Sequence, residues 1–199
     1  MTQDPPRPVK KVAVLLGSLR AHSFSRSLVH ALATIVPEPL ALDIVEIGDM
    51  PFYNPDLEGD DAPAAWKDFR QRILEADALL FVTPEYNRSV PAVLKNAIDV
   101  GSRPYGQSVW QGKPGAVISI SPGRLGGFGA NHHLRQSLMC LNVVTMATPE
   151  AYIPDVASCV DEHGAFADTE TQAFLLSYLQ RFAGWVQLNA GAPASASAP

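Results

Sequence analysis

The sequence predicts a doubly wound α/β domain. Its five parallel strands take the order 2-1-3-4-5, with helices on both faces. Three observations predict it. Short apolar runs alternate with segments whose apolar residues fall at helical spacing. Five such runs are each separated by a helix, and that connection implies parallel pairing. No internal repeat or interior linker divides residues 9–190, so they read as one unit. The strand order follows from this class of fold, not from any single residue.

The elements follow in chain order. Residues 12–16 are an apolar run ending at Gly17, the first strand. Leu28, Leu32 and Ile35 then form a helix face, with Val29 and Val36 beside it. Residues 40–47 alternate and include β-branched residues, the second strand. A loop rich in proline and acidic residues spans 48–62. Trp66, Phe69 and Ile73 stand at i, i+3 and i+7, the second helix. Residues 78–82 form the third strand, and residues 89–100 the third helix, with Val90, Val93, Leu94, Ala97 and Ile98 at helical spacing. Residues 115–120 are the fourth strand. Residues 126–140 hold a glycine-rich start and then a helix. Residues 142–146 are the fifth strand, and Leu175, Leu179, Phe182 and Val186 set the last helix at 170–189. The proline-rich residues 1–8 are expected to be loose. Residues 191–199 contain only Gly, Ala, Pro and Ser, and are expected to form a disordered tail.

Bulk properties exclude several classes. Apolar residues make up 47% and charged residues 18%, enough apolar content for one full core. A formal charge of −5 argues against a nucleic-acid surface, which needs a basic patch. No apolar stretch reaches the roughly 18 residues of a membrane span. The start lacks the apolar core of a signal peptide. A cytoplasmic protein is therefore expected. Cys140 and Cys159 lie far apart and form no zinc or redox pair; each reads as a buried or neutral thiol.

The loop after the first strand, residues 17–26, joins a strand end to a helix start. Free N–H groups and the helix dipole favour an anion there. Ser18, Ser23 and Ser25 add hydroxyls, Arg20 adds a planar cation, and no carboxylate intervenes. It lacks the triphosphate-loop pattern and the dinucleotide glycine fingerprint. Two readings stand: a phosphate cradle, or a serine-capped helix with a solvated arginine. The loop after the third strand, from Thr83 onward, offers stiff Pro84, Glu85, the ring of Tyr86, and polar groups at Asn87 and Ser89. That set suits a flat heteroaromatic ring. Both loops open on the same sheet edge, where ligands bind in such folds.

Other candidates have bland readings. His132 and His133 are adjacent, so they do not share one helix face, and no metal site is expected. The glycine-rich stretch Gly123, Gly126, Gly127, Gly129 either passes close to a nicotinamide nucleotide or is a turn. Asp56, Glu58, Asp60 and Asp61 read as a solvated edge, and Trp66 and Trp185 as core or interface. Arg88 reads as a solvated arginine, with attraction of an acidic substrate as the alternative.

Gly17-Ser-Leu-Arg-x-x-Ser and Thr83-Pro-Glu-Tyr-Asn-x-Ser-x-Pro-x-x-Leu-Lys-Asn-Ala-Ile-Asp resemble the NAD(P)H-dependent FMN reductases. Pro51-x-Tyr53-Asn54-x-Asp56, Gly112-Lys113-Pro114, His133-Leu134-Arg135-Gln136 and Pro149-Glu150 extend the resemblance over nearly all of residues 9–190. Ala92 and Val100 depart from the family's Gly and Trp, at helix positions where packing is affected more than cofactor contact. The resemblance implies a flavodoxin-like fold, FMN as cofactor, NADPH or NADH as hydride donor, and a homodimer or homotetramer. By position, Ser18, Arg20, Ser23 and Ser25 would hold the FMN phosphate. Pro84, Glu85, Tyr86 and Asn87 would wrap the ring, largely through backbone groups. Ser119, Ser121 and Gly123 would flank the ring or ribityl chain. A small electron acceptor follows (quinone, flavin, chromate or azo compound), with ping-pong kinetics and no catalytic side chain beyond the flavin. Glu85 is the residue least expected to act as a general base. Two alternatives remain: a flavodoxin-type electron carrier, against which Arg20 argues, and a phosphate-binding enzyme without flavin.

Overall fold

The computed structural model of the protein describes residues 8–191. The expectations for residues 1–8 and 191–199 lie outside the described residues, apart from Pro8 and Gly191. In chain order the elements are β1 (Lys10–Leu16), α1 (Phe24–Ala33), β2 (Leu40–Ile44), α2 (Ala64–Glu75), β3 (Ala78–Pro84), α3 (Ala92–Gly101), β4 (Pro114–Ile120), α4 (Phe128–Cys140), β5 (Val144–Thr145), β6 (Ala151–Ile153) and α5 (Thr169–Asn189). The sheet runs β2-β1-β3-β4-β5 and every strand pair is parallel, as expected.

Strand alternation divides the core in two. Val12, Val14, Leu80, Val82, Ile118 and Ile120 face α1 and α5. Ala13, Leu15, Leu79, Phe81 and Val117 face α2, α3 and α4. The helix faces read from spacing are the buried ones: Leu28 and Leu32, Trp66, Phe69 and Ile73, and Leu175, Leu179, Phe182 and Val186. The α3 helix starts at Ala92, three residues later than spacing suggested. Ser89 spends its N–H on Tyr86 O, and Pro91 disfavours helical geometry at Val90.

The fifth sheet position is split, a correction to the single strand expected at 142–146. β5 pairs with Pro114 and Gly115, and β6 pairs with Ile118 to Ile120, both along the outer edge of β4. Between them Val117 has no strand partner on that side. The Tyr178 hydroxyl fills the gap. It accepts from Val117 N (3.1 Å) and donates to Val117 O (2.9 Å). Burial holds this phenol far above its ordinary pKa, so it stays a neutral donor. Trp185 Nε1 donates to Val144 O (2.7 Å), and Arg135 donates to Met146 O (2.9 Å), holding the interrupted segment. Trp185 thus has an edge-closing role, while Trp66 is core, 4% exposed.

Tyr178→Phe removes one hydroxyl but leaves two buried backbone groups unpaired. The expected loss is roughly 2–4 kcal/mol of unfolding free energy, at unchanged m-value, in urea titration. A loss below about 0.5 kcal/mol would mean that the gap tolerates unpaired groups or admits water.

Candidate functional site

The β1–β3 pairing sets the site. Leu16 stands beside Val82, so the loops that follow leave the sheet side by side. Gly17 N donates to Val82 O (3.0 Å). A Cβ at Gly17 would lie 2.8 Å from both Pro84 Cδ and Thr83 Oγ1, so only glycine permits this approach.

The first loop turns directly into α1. Ser23 is the N-cap, its Oγ accepting from Arg26 N (3.3 Å). The N–H groups of Phe24 and Ser25 have no acceptor among the described residues, and the first turn carries no acidic residue. Ser25 Oγ is buried and unpartnered. A buried hydroxyl without a partner is costly, and this one lines the cleft. Arg20 is exposed and makes no ion pair among the described residues. The neighbouring cation is already committed: Arg26 Nη1 and Nη2 each donate to the Glu46 carboxylate at 2.9 Å. That bidentate pair holds Glu46 below the usual carboxylate range. The loop therefore keeps one cation without an ion pair among the described residues, free amides and the spare Ser25 hydroxyl beside one cleft, the chemistry of an anion site.

The second loop folds back on itself. Tyr86 N donates to Ser89 O (3.1 Å) and Ser89 N to Tyr86 O (2.9 Å). Asn87 and Arg88, between them, have φ of 49° and 64°, the signature of a primed turn. Their own N–H groups have no acceptor among the described residues. Glu85 is engaged on both oxygens, accepting from Ala130 N (3.1 Å) and from Arg88 Nη1 (3.0 Å). Arg88 is therefore an exposed but paired arginine, not a purely solvated one.

The third contributor, the loop after β4, presents Ser121, whose Oγ accepts from Gly123 N (2.9 Å). Ser119 is elsewhere. It is fully buried, donates to Ala151 O (3.3 Å) and accepts from Asn131 Nδ2 (3.1 Å), linking β4, α4 and β6.

These loops enclose a cleft of about 150 Å³. Its walls include Ser18, Arg20, Ser23, Ser25, Pro84, Glu85, Tyr86 and Ser121 from the sequence-based set. Asn87, Ser119 and Gly123 are not among them. Phe24, Ile120, Pro122 and Val156 complete the lining. Apolar residues facing a ligand look like core residues in sequence, so no signal marked them. A second cleft of about 400 Å³ shares Arg20 and Tyr86 and continues to Gly17, Leu19, Pro91 and Val93.

The remaining candidates separate. His132 Nε2 meets Tyr152 Oη and His133 Nδ1 meets Ser89 Oγ, each at 3.0 Å, so the two rings have different partners. Gly126 and Gly127 have φ of 56° and 76°, and side chains there would strike Tyr152 and Ser119, so these glycines serve a packed turn. Glu58 accepts from Tyr53 Oη (2.6 Å), while Asp56, Asp60 and Asp61 are exposed. Cys159 is buried and Cys140 is exposed.

Residues 10–158 match the family described as NADPH-dependent FMN reductase. A quinone reductase of Pseudomonas putida is 58% identical over 181 residues, covering 91% of this chain and 97% of that protein. A 2-hydroxy-1,4-benzoquinone reductase of a Burkholderia species is 46% identical over 177 residues, covering 89% and 96%. Among solved structures, the flavoenzyme NAD(P)H:(acceptor) oxidoreductase FerB from Paracoccus denitrificans superposes with a TM-score of 0.86 at 42% identity, covering 91% of this chain and 99% of that one.

The unpartnered Ser25 hydroxyl yields a sign-specific expectation. Without ligand, Ser25→Ala should leave the protein as stable or up to about 1 kcal/mol more stable, read by thermal unfolding in a phosphate-free buffer. A clear destabilisation would show that the hydroxyl already has a partner.

Proposed function

The chain belongs to the NADPH-dependent FMN reductase family, and on that footing we propose that it passes hydride from NAD(P)H through FMN to a small acceptor by alternating use of one cleft. It is an FMN- and NAD(P)H-dependent oxidoreductase. The single observation that carries the cofactor assignment is the convergence of unused donors at the start of α1. A free arginine, free amides and the orphan Ser25 hydroxyl fit a phosphomonoester.

Bound FMN supplies the two-electron chemistry, so the side chains need only bind, orient and tune it. We assign Ser18, Arg20, Ser23 and Ser25 to the phosphate. Pro84, Glu85, Tyr86 and Asn87 form the ring loop, and the spare N–H groups of Asn87 and Arg88 are the donors best suited to the reactive edge of the ring. Ser121 and Gly123 are assigned to the ring or ribityl side. Ser119, whose hydroxyl is consumed, acts through the backbone position of β4.

Quinones are the leading acceptor class, because relatives at 58% and 46% identity are named for quinone reduction. Flavins, chromate and azo compounds stay in the proposal as further acceptors of a shared open site. Leu19, Phe52, Tyr86 and Leu125 on loops, and Phe128 at the start of α4, are exposed apolar residues at this sheet edge. Covering them supports a homodimer or homotetramer of a single unit spanning 9–190. No helix among the described residues is long and apolar enough to cross a membrane. The free Cys140 thiol supports a reducing cytoplasmic setting.

Initial rates with NADPH and a benzoquinone should give parallel double-reciprocal lines; intersecting lines would remove the alternating scheme. Arg20→Ala should weaken FMN binding about tenfold to hundredfold, the loss of a charge-assisted contact, in fluorescence-quenching titration. Unchanged affinity would move the phosphate elsewhere.

A further inference from the structure

Glu85 is held in a way that flavin chemistry alone does not require. Its side chain is 11% exposed, although it sits on a loop at the mouth of the cleft. One oxygen accepts from Ala130 N in the first turn of α4. That helix begins at Gly127, which has no side chain to cap it, and its first turn carries no acidic residue. Glu85 supplies the missing acceptor from a different loop, where the helix dipole favours its charge. Its other oxygen pairs with Arg88, across a turn whose two central residues both have positive φ. Non-glycine residues rarely adopt that geometry and need their surroundings to hold it. The turn also rests directly on α4: a Cβ at Gly129 would lie 2.8 Å from Arg88 O and 3.0 Å from Glu85 Oε2.

We propose that Glu85 is a positioning residue: its carboxylate fastens the Tyr86–Ser89 turn to the N-terminus of α4, and so aims the free N–H groups of Asn87 and Arg88 at the flavin ring. This rests on the assignment of the ring loop made above. A carboxylate with both oxygens bound in this way is not a general base. It couples two loops, so that the ring site and the glycine-rich turn before α4 move as one body.

Three full-length variants test the clamp: Glu85→Ala, Glu85→Gln and Gly129→Ala. Amide exchange in the flavin-free protein reads the turn without relying on cofactor binding. In Glu85→Ala, protection at Tyr86, Ser89 and Ala130 should fall about tenfold relative to Val186 in α5, and FMN should bind about tenfold more weakly. Glu85→Gln keeps an acceptor for Ala130 N but loses the ion pair with Arg88. It should therefore retain protection at Ala130 within about threefold, with an intermediate FMN affinity and no new ionisation in the kcat–pH profile. Gly129→Ala keeps the carboxylate and adds a better helix former, yet crowds Arg88 O. It should weaken FMN about fivefold or more while α5 stays protected, which a purely stabilising role for Glu85 would not produce. Wild-type FMN affinity and turn protection in Glu85→Ala would overturn the clamp, as would loss of a kcat–pH ionisation in Glu85→Gln. Failure of the wild-type chain to bind FMN would overturn the premise and the clamp together, and is read from the wild type alone.

Discussion

The site depends on one close approach, that of Gly17 to Thr83 and Pro84. Parallel pairing ends β1 and β3 at the same level, so two loops must leave through one narrow space. With any side chain at position 17, the proline ring or the threonine hydroxyl would have to shift. With glycine, the start of α1 and the end of β3 form two walls of a single cleft. The order 2-1-3-4-5 matters for the same reason. It puts β1 and β3 next to each other at the centre of the sheet, and the reversal of winding there opens the crevice. Positive potential comes from the first wall and a flat, proline-stiffened surface from the second.

The pairing of backbone groups differs between scaffold and site. Where β4 loses its strand partner, Tyr178 covers Val117, Trp185 covers Val144, and Arg135 reaches Met146. Asn131 uses its amide twice, on Ser119 and Ala151, and its carbonyl on Arg135. These arrangements cost long, specific side chains and pair the backbone groups of the interruption, while Arg135 Nη2 is itself buried without a partner among the described residues. At the carboxyl edge the pattern reverses. Among the described residues, Ser25 Oγ, the amides of Phe24 and Ser25, the Arg20 guanidinium and the amides of Asn87 and Arg88 are all left over. A fold that closes an awkward gap in its sheet yet leaves six donor groups open within two adjoining loops has reserved them for something outside the chain.

Much of this was readable from residue order. Apolar periodicity located the helix faces because burial in a two-layer core obeys it closely. The anion character of residues 17–26 was visible because it depends on composition within one continuous loop. The split fifth position was not visible. Val144–Thr145 and Ala151–Ile153 are too short to carry a period, and what unites them is a tyrosine in α5. Ser119 misled for a related reason. It sits at the end of a strand, where ligand-facing and core-facing residues alternate, and one step in register turned its hydroxyl inward toward Asn131. The partners of Glu85 were equally hidden, since Ala130 lies 45 positions away.

On the proposed assignment, the free donors account for a site that would hold its cofactor through directional contacts and take more than one acceptor. Nearly all the directional groups belong to the phosphate end and to the turn at the ring edge. The wider neighbouring cleft is lined by Leu19, Pro91, Ala92 and Val93 beside Tyr86, with Arg20 as its one charged side chain. A ligand there is selected by flatness and size more than by hydrogen bonds, because an apolar wall discriminates weakly between shapes that fit. On that reading, selectivity of the reaction would rest on what the flavin can reduce, with the protein's specificity directed at the flavin itself. The arrangement also separates two jobs that would conflict if they shared groups. Donors strong enough to retain a phosphate would also retain a charged product, so gathering most of them in the first loop suits the proposed alternating use of the cleft.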